Sequence, residues 1–261
     1  MKLSIITVSY NAEKCIKSTI ESVLYQTKPV FEYILIDGGS NDATYEIICS
    51  YRKVFEDKGI IFKCISEKDK GISDAFNKGI ERAEGDLVGL INADDELLPD
   101  TCQLLSERYS AVQADIYYGN CIWVDDAVNL EYVSKPSHSL EKLLYYMVLI
   151  HPSTFVKKKA YQEVGTYDVS YKLCMDKELL YRMYKSGKQF EYIDENLTKY
   201  RAGGVSDKRA IDVYKEGSRM ALAYGEPRAK VWLIQNKKIV RKKIATICKR
   251  LPIYKRWKKA N

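Results

Sequence analysis

The chain has 261 residues, 46% of them apolar, enough for one substantial core or a core plus a small annex. Its seven cysteines are odd in number and no two are spaced CxxC, which argues against a disulfide framework or a zinc knuckle. The longest unbroken apolar run, Leu143 to Ile150, is far short of a bilayer span, and the Leu3 to Val8 stretch after Met1-Lys2 is too short for a signal peptide. The expectation is a cytoplasmic protein with reduced thiols. The net charge of +7 is unevenly placed: Arg228 to Asn261 carries 13 Lys/Arg and no acid, leaving 29 basic against 35 acidic residues elsewhere. A basic total often points to nucleic acid, but here the charge belongs to a tail, so no nucleic acid is expected.

Along the first hundred residues, strand and helix signals alternate. Leu3 to Val8 reads as a buried strand, followed by a helix with Asn11 as N-cap and Ile16, Ile20, Val23 and Leu24 on one face. Tyr33 to Ile36 is a second strand, closed by Asp37-Gly38-Gly39-Ser40 and followed by a helix over 43–55. The strand Ile60 to Ile65, a helix over 73–83 and the strand Leu87 to Ile91 complete the series. This spacing predicts βαβ units and a mostly parallel, Rossmann-like central sheet, with ligands at the carboxyl ends of its strands. Those ends are Thr7 to Asn11, Asp37 to Asp42, Ser66 to Gly71 and Asn92 to Asp95, all polar and mostly acidic.

The second half is less regular. Asp115 to Tyr118 and Cys121 to Val124 read as strands around a Gly119-Asn120 turn, and 140–148 as a short helix. A strand over 153–156 and a turn at Gly165-Thr-Tyr-Asp168 precede a helix over 176–186, stopped by Gly187. Gly203-Gly204 marks a loop before a helix over 208–224. The division expected is a catalytic domain over 1–227, with a nucleotide-binding half over 1–113 and an acceptor half over 114–227, and a tail over 228–261.

Asn92-Ala93-Asp94-Asp95 is the sharpest local signal. Adjacent carboxylates repel at a strand end unless a cation or hydrogen-bond donors are present, and a hard divalent ion shared with substrate phosphates meets that need. The alternative is an N-cap pair for the helix near Pro99.

Together, Thr7-Val-Ser-Tyr-Asn11, Ile36-Asp-Gly-Gly-Ser-Asn-Asp-Ala-Thr44, Ser66-Glu-Lys-Asp-Lys-Gly71, Asn77-Lys-Gly79, Gly85 and Asn92-Ala-Asp-Asp95 resemble family 2 glycosyltransferases of the GT-A fold. Downstream, His151-Pro-Ser-Thr-Phe155, Gly165-Thr-Tyr-Asp168, Asp176 with Glu178 and Arg182, and Gly203-Gly-Val-Ser206 resemble the bacterial enzymes that build O-antigen and exopolysaccharide units. The resemblance implies an α/β GT-A domain that passes a sugar, with inversion, from a nucleotide-sugar (a UDP-sugar foremost) to an acceptor hydroxyl, using Mn2+ or Mg2+. It implies that Thr7, Ser9, Tyr10 and Asn11 hold the uridine, that Asp37 contacts the base or ribose, and that Asp69 helps close the pocket. Asp94 would contact the ribose and Asp95 the metal. Asp176 would be the general base, with an N-cap as its alternative or additional role. One departure stands out: many members carry a second aspartate where this chain has Gly38, and Asp37 or Asp69 would then substitute.

His151 is a candidate contact to sugar or acceptor, with a purely structural histidine as the alternative. Glu178 is a second such candidate, against a helical surface pair with Arg182 at i, i+4. In the tail, Val240, Ile244, Ile247 or Cys248 and Leu251 form one stripe among basic residues, with Pro252, Tyr254 and Trp257 beyond. A basic amphipathic helix suits an anionic membrane surface, where a lipid-linked saccharide acceptor would sit, so peripheral attachment to the inner face of the membrane is expected. The tail's alternatives are a face packed on the body or a nucleic-acid arm. Rival functions are a sugar nucleotidyltransferase, whose Gly-rich loop is absent after the first strand, and a non-catalytic scaffold.

Overall fold

The computed structural model describes residues 1–126, 128–204 and 208–250, with side chains through residue 244. The motif residues Val205 and Ser206 and the tail residues Leu251, Pro252, Tyr254 and Trp257 lie outside them, as do the side chains of Ile247 and Cys248. The chain forms two compact units, Met1–Gly204 and Val205–Asn261.

The first unit is built on one mixed sheet. Strands β1 (Leu3–Ser9), β2 (Glu32–Asp37), β3 (Ile61–Ser66) and β4 (Leu87–Asn92) are mutually parallel in the order β3-β2-β1-β4. Beyond β4 the sheet continues through β8 (Thr154–Lys157), β6 (Ile116–Asp125), β9 (Phe190–Arg201) and β5 (Glu96–Leu97), while β7 (Leu130–Ser134) pairs with β6. The β4/β8, β8/β6, β6/β7 and β9/β5 pairs are antiparallel. Parallel pairing thus holds for the first half, and the second half is largely antiparallel.

Strands buried on both faces read as near-continuous apolar runs, and β1, β2 and β4 do so through their middles, with the polar Ser9, Asp37 and Asn92 at their carboxyl ends. Ile5, Tyr33, Leu35 and Ile91 join one cluster under α1 (Ile16–Leu24), α2 (Thr44–Ser50), α3 (Arg52–Asp57) and α5 (Thr101–Ala111). Ile6, Ile34, Ile36 and Leu90 join the other, under α4 (Ile72–Arg82), α6 (Lys158–Val164) and α7 (Met175–Lys185).

Four expected features differ. Gly119-Asn120 is no turn: β6 runs straight through it, with a register irregularity against β9. Glycine is needed there because a Cβ would stand 2.6 Å from the Leu197 side chain and 3.0 Å from the Glu195 carbonyl. Asn11 is not the cap of α1, which starts at Ile16 after Cys15. It adopts φ +50 instead, a conformation that asparagine tolerates. The expected helix over 140–148 is a 3-10 turn over Leu140–Leu144, and the single helix over 43–55 is split into α2 and α3 at Tyr51.

In the second unit, α8 (Ala210–Ala223) packs against α9 (Arg228–Arg250), with Met220, Ala221 and Val231 buried. Among the described residues, no helix is long and apolar enough to cross a membrane.

Candidate active site

The register of the parallel strands sets Ser9, Asp37 and Ser66 side by side at the carboxyl edge of the sheet. Asp37 is fully buried there. Its carboxylate accepts from Ser9 Oγ (3.2 Å), Ser66 Oγ (2.6 Å), Ser40 Oγ and N, and Gly39 N. Five donors on one carboxylate fix the shape of three loops at once. Thr7 is also fully buried, its hydroxyl bonded to Tyr33 Oη at 3.0 Å, one strand residue below the edge loop. Asn11 joins the loops from above: its N–H donates to Ser40 Oγ and its Oδ1 accepts from Asn41 N, both at 2.9 Å. Tyr10 projects outward, 62% exposed, an open aromatic face at the rim.

Gly38 now has a physical reading. A Cβ built on it would lie 2.6 Å from Asp69 Oδ2, so the Asp69 carboxylate fills the space that a side chain at position 38 would enter. Asp69 is held there by Gly71 N at 2.7 Å.

The Asn92-Ala-Asp-Asp95 turn leaves β4 and is clamped from several sides. Buried Thr19 of α1 donates to the carbonyls of Ala93 (2.8 Å) and Asp95 (2.7 Å). Asp95 is fully buried; Asn92 Nδ2 donates to its Oδ2 and Arg201 N to its Oδ1. Burial first, and then the charge of Asp94, push the Asp95 carboxyl up to about 7 despite those two bonds. Burial also raises Asp94. Asn92 Oδ1 is buried and has no hydrogen-bond partner among the described residues. The helix that follows has Asp100 at its N-cap position, so the Asp94–Asp95 pair lies outside its cap.

Arg201, at the end of β9, was not singled out by sequence reasoning. Its guanidinium bonds Glu96 and Asp126, each at 2.9 Å, and its positive charge opposes the upward shift of both Asp94 and Asp95. The signal available was an arginine two residues before Gly203-Gly204.

The second half contributes His151 and Asp176. Since β8 runs antiparallel to β4, with Phe155 opposite Gly89, the turn His151–Ser153 arrives at the carboxyl edge of β4. Asp176 is the second residue of α7, whose N-cap is Cys174. Its Oδ1 accepts from Lys177 N at 2.7 Å. Glu178 is buried, not on the surface. Arg182 donates to both its oxygens, at 3.0 and 2.9 Å, and also to the carbonyls of Val164 and Thr166, each at 2.7 Å. The pair therefore ties α7 to the 164–166 turn. His138 is exposed, its ring packed edge-on against Tyr192 with centroids 4.6 Å apart.

A four-stranded parallel half-sheet with an acidic turn at its carboxyl edge, extended by an antiparallel half, is the architecture of a GT-A transferase. Residues 4–173 match the family model of glycosyl transferase family 2, and the chain belongs to that family. It is 33% identical over 147 residues to Bacillus subtilis TuaG, a glycosyltransferase named for teichuronic acid biosynthesis, covering 55% of each chain. It is 28% identical over 210 residues to the Methanocaldococcus jannaschii glycosyltransferase MJ1057, covering 76% of this chain and 70% of that one. The chain thus spans little more than half the length of TuaG. The Staphylococcus aureus TarS structure in complex with UDP-GlcNAc superposes with a TM-score of 0.68 at 19% identity, over 92% of this chain and 72% of that one.

Proposed function

We propose that this chain is an inverting sugar transferase that uses a UDP-sugar donor and a divalent cation to glycosylate a hydroxyl of a lipid-linked or oligosaccharide acceptor, in the assembly of O-antigen, capsule or exopolysaccharide. The observation that carries it is the Asp94–Asp95 turn. A buried carboxylate held near pH 7, beside a second carboxyl and an orphaned amide oxygen, calls for a cation. Among the described residues no cluster of three His, Cys, Asp or Glu side chains could hold a metal alone. The hard-oxygen set of Asp95, Asp94 and Asn92 Oδ1 suits a hard divalent ion, and these residues would hold Mn2+ or Mg2+. Such an ion would supply positive charge to offset that of the departing diphosphate.

The protein's own residues do the rest. Tyr10 offers its exposed ring to the uracil, Ser9 and Asn11 line the same loop, and Asp69 stands where a second carboxylate at position 38 would be. Asp37 acts from beneath, by holding the loops. Asp176 takes the proton from the acceptor hydroxyl as that oxygen attacks the anomeric carbon. The bond from that carbon to the diphosphate breaks on the opposite face, and the nucleoside diphosphate leaves with the electron pair. A positioned base contributes ~10²–10⁴-fold, and the leaving group needs no proton. The UDP-GlcNAc in TarS and the biosynthetic names of the relatives support the donor class and the glycan setting.

The tail supports attachment to an anionic membrane face. The Leu233, Val240 and Ile244 side chains of α9 are exposed and interleaved with exposed Lys237 and Arg241.

Donor hydrolysis screened over UDP-, GDP- and dTDP-sugars, with Mn2+, Mg2+ or chelator, tests the reading. The expected result is metal-dependent release of UDP. Turnover that is indifferent to chelator, or confined to another nucleotide, overturns the corresponding part.

A further inference from the structure

One contact beside Asp176, between half-buried His151 and buried Tyr167, is not used by this mechanism. His151 Nε2 lies 3.0 Å from Tyr167 Oη, and the imidazole sits against the Phe76 ring with centroids 5.5 Å apart. Tyr167 is itself immobilised. Asn77 grips its backbone twice, Nδ2 to Tyr167 O at 2.8 Å and Tyr167 N to Oδ1 at 2.9 Å. Arg182, braced by Glu178, holds the preceding turn through the carbonyls of Val164 and Thr166. The Phe76 ring stacks on Tyr167 at 5.7 Å. Elements α4 and α7 and the turn after α6 thus all fix one phenol, whose hydroxyl meets one imidazole nitrogen.

We propose that Tyr167 is a positioning residue: its hydroxyl donates to Nε2 of His151 and locks the imidazole as a neutral ring with its proton on Nδ1, an N–H offered to the acceptor hydroxyl that Asp176 deprotonates. This rests on Asp176 being the base. The titratable groups around His151 are Tyr167, Asp176 of α7 and, behind Tyr167, Tyr161 of α6. Burial, then the charges of Tyr161 and Asp176 and a side-chain hydrogen bond with Tyr161, hold the Tyr167 phenol well above its ordinary range, so its hydroxyl keeps its one proton, for which Tyr161 Oη and His151 Nε2 are the competing acceptors. Burial pulls the His151 imidazole down while the Asp176 charge pulls it up. A bond that stabilises the neutral ring decides that contest. A protonated His151 would instead pair with Asp176 and weaken it as a base.

The chain has only two histidines, so nitrogen-15 imidazole spectra of the full chain, assigned with His138→Gln, read the tautomer directly. Expected near neutral pH is a His151 ring protonated on Nδ1 with a bare Nε2. Tyr167→Phe removes only the hydroxyl. The proton affinity of His151 should then rise roughly three- to tenfold, and the acid limb of the kcat profile should move to higher pH with the donor KM unchanged. Adding His151→Gln to Tyr167→Phe should abolish that move. A His151 protonated on Nε2 in the wild type, or the same affinity with and without the hydroxyl, overturns the proposal. The wild-type tautomer decides the matter even if Tyr167→Phe does not fold. Near-normal transfer by Asp176→Asn would sink the base assignment alone, since the tautomer is read without turnover.

Discussion

At the scale of single residues, the metal role proposed for Asp95 is opposed to the stability of the fold. Its folded carboxyl titrates at about 7, above the ordinary 3.8, because burial and Asp94 disfavour the anion. A raised acid binds its proton more tightly in the folded state, so the stability it confers is complete below the ordinary value and is lost as pH rises to about 7. Asp95→Asn removes this dependence while keeping the shape. Without ligand, the variant should melt at a higher temperature than wild type at about pH 8 and show little advantage at about pH 4. Calorimetry with UDP should show the opposite ranking, with the affinity gained from Mn2+ or Mg2+ reduced in the variant. Equal metal enhancement in both proteins would remove Asp95 from the metal site. Asp176 predicts a different signature. Asp176→Asn should lose at least about 10²-fold in kcat yet bind UDP as wild type does, because the base acts on the acceptor. Equilibrium titration beside steady-state turnover separates the two.

At the scale of elements, the β6/β9 pair decides the shape of the second half. Gly119 lets Leu197, fully buried, lie against the β6 backbone where any side chain would collide. Gly119→Ala should cost about 1–3 kcal/mol, measured as a lower urea midpoint with an unchanged slope; full stability would mean that β9 shifts freely. The same pair shows where local sequence stops being informative. The strands β1 to β4 were legible because each carries its own apolar run and is closed by its own polar loop. Gly119-Asn120 looks like a turn from its neighbours alone, since the reason for the glycine lies at Leu197, in another strand. Strand β9 gave no pattern because Glu191, Asp194, Glu195 and Lys199 interrupt its apolar positions. At the candidate site, Asp94, Asp95 and Asp176 stand out in the sequence because they sit at the ends of recognisable elements. The backbone bond from Arg201 to Asp95, the bridge from buried Glu178 through Arg182 to the 164–166 turn, and the grip of Asn77 on Tyr167 do not, because each is made by the folded chain between distant segments.

At the scale of the whole molecule, the charge segregation of the chain has its consequence in α9. Thirteen basic residues and no acid lie between Arg228 and Asn261. In α9, Trp232, Leu233, Val240 and Ile244 are each more than half exposed, so the apolar stripe begins a full two turns earlier than Val240 alone indicates. Exposed apolar side chains among cations match the interface of an anionic bilayer, where each Lys or Arg near the surface contributes about 1 kcal/mol. Neutralising three exposed positions, Lys237→Gln, Arg241→Gln and Lys243→Gln together, should therefore weaken binding to anionic vesicles by roughly a hundredfold at low salt. The deficit should shrink as salt screens the remaining charges. Val231 and the α8 residues Met220 and Ala221 are left untouched, so the packing of α8 on α9 is not the variable. Transfer to a short soluble acceptor should persist in the triple variant, while transfer to a lipid-linked acceptor in vesicles should fall. Co-sedimentation over a series of anionic lipid contents measures the first effect and product formation the second. Equal pelleting of wild type and the triple variant at every lipid composition would mean that α9 does not serve the membrane.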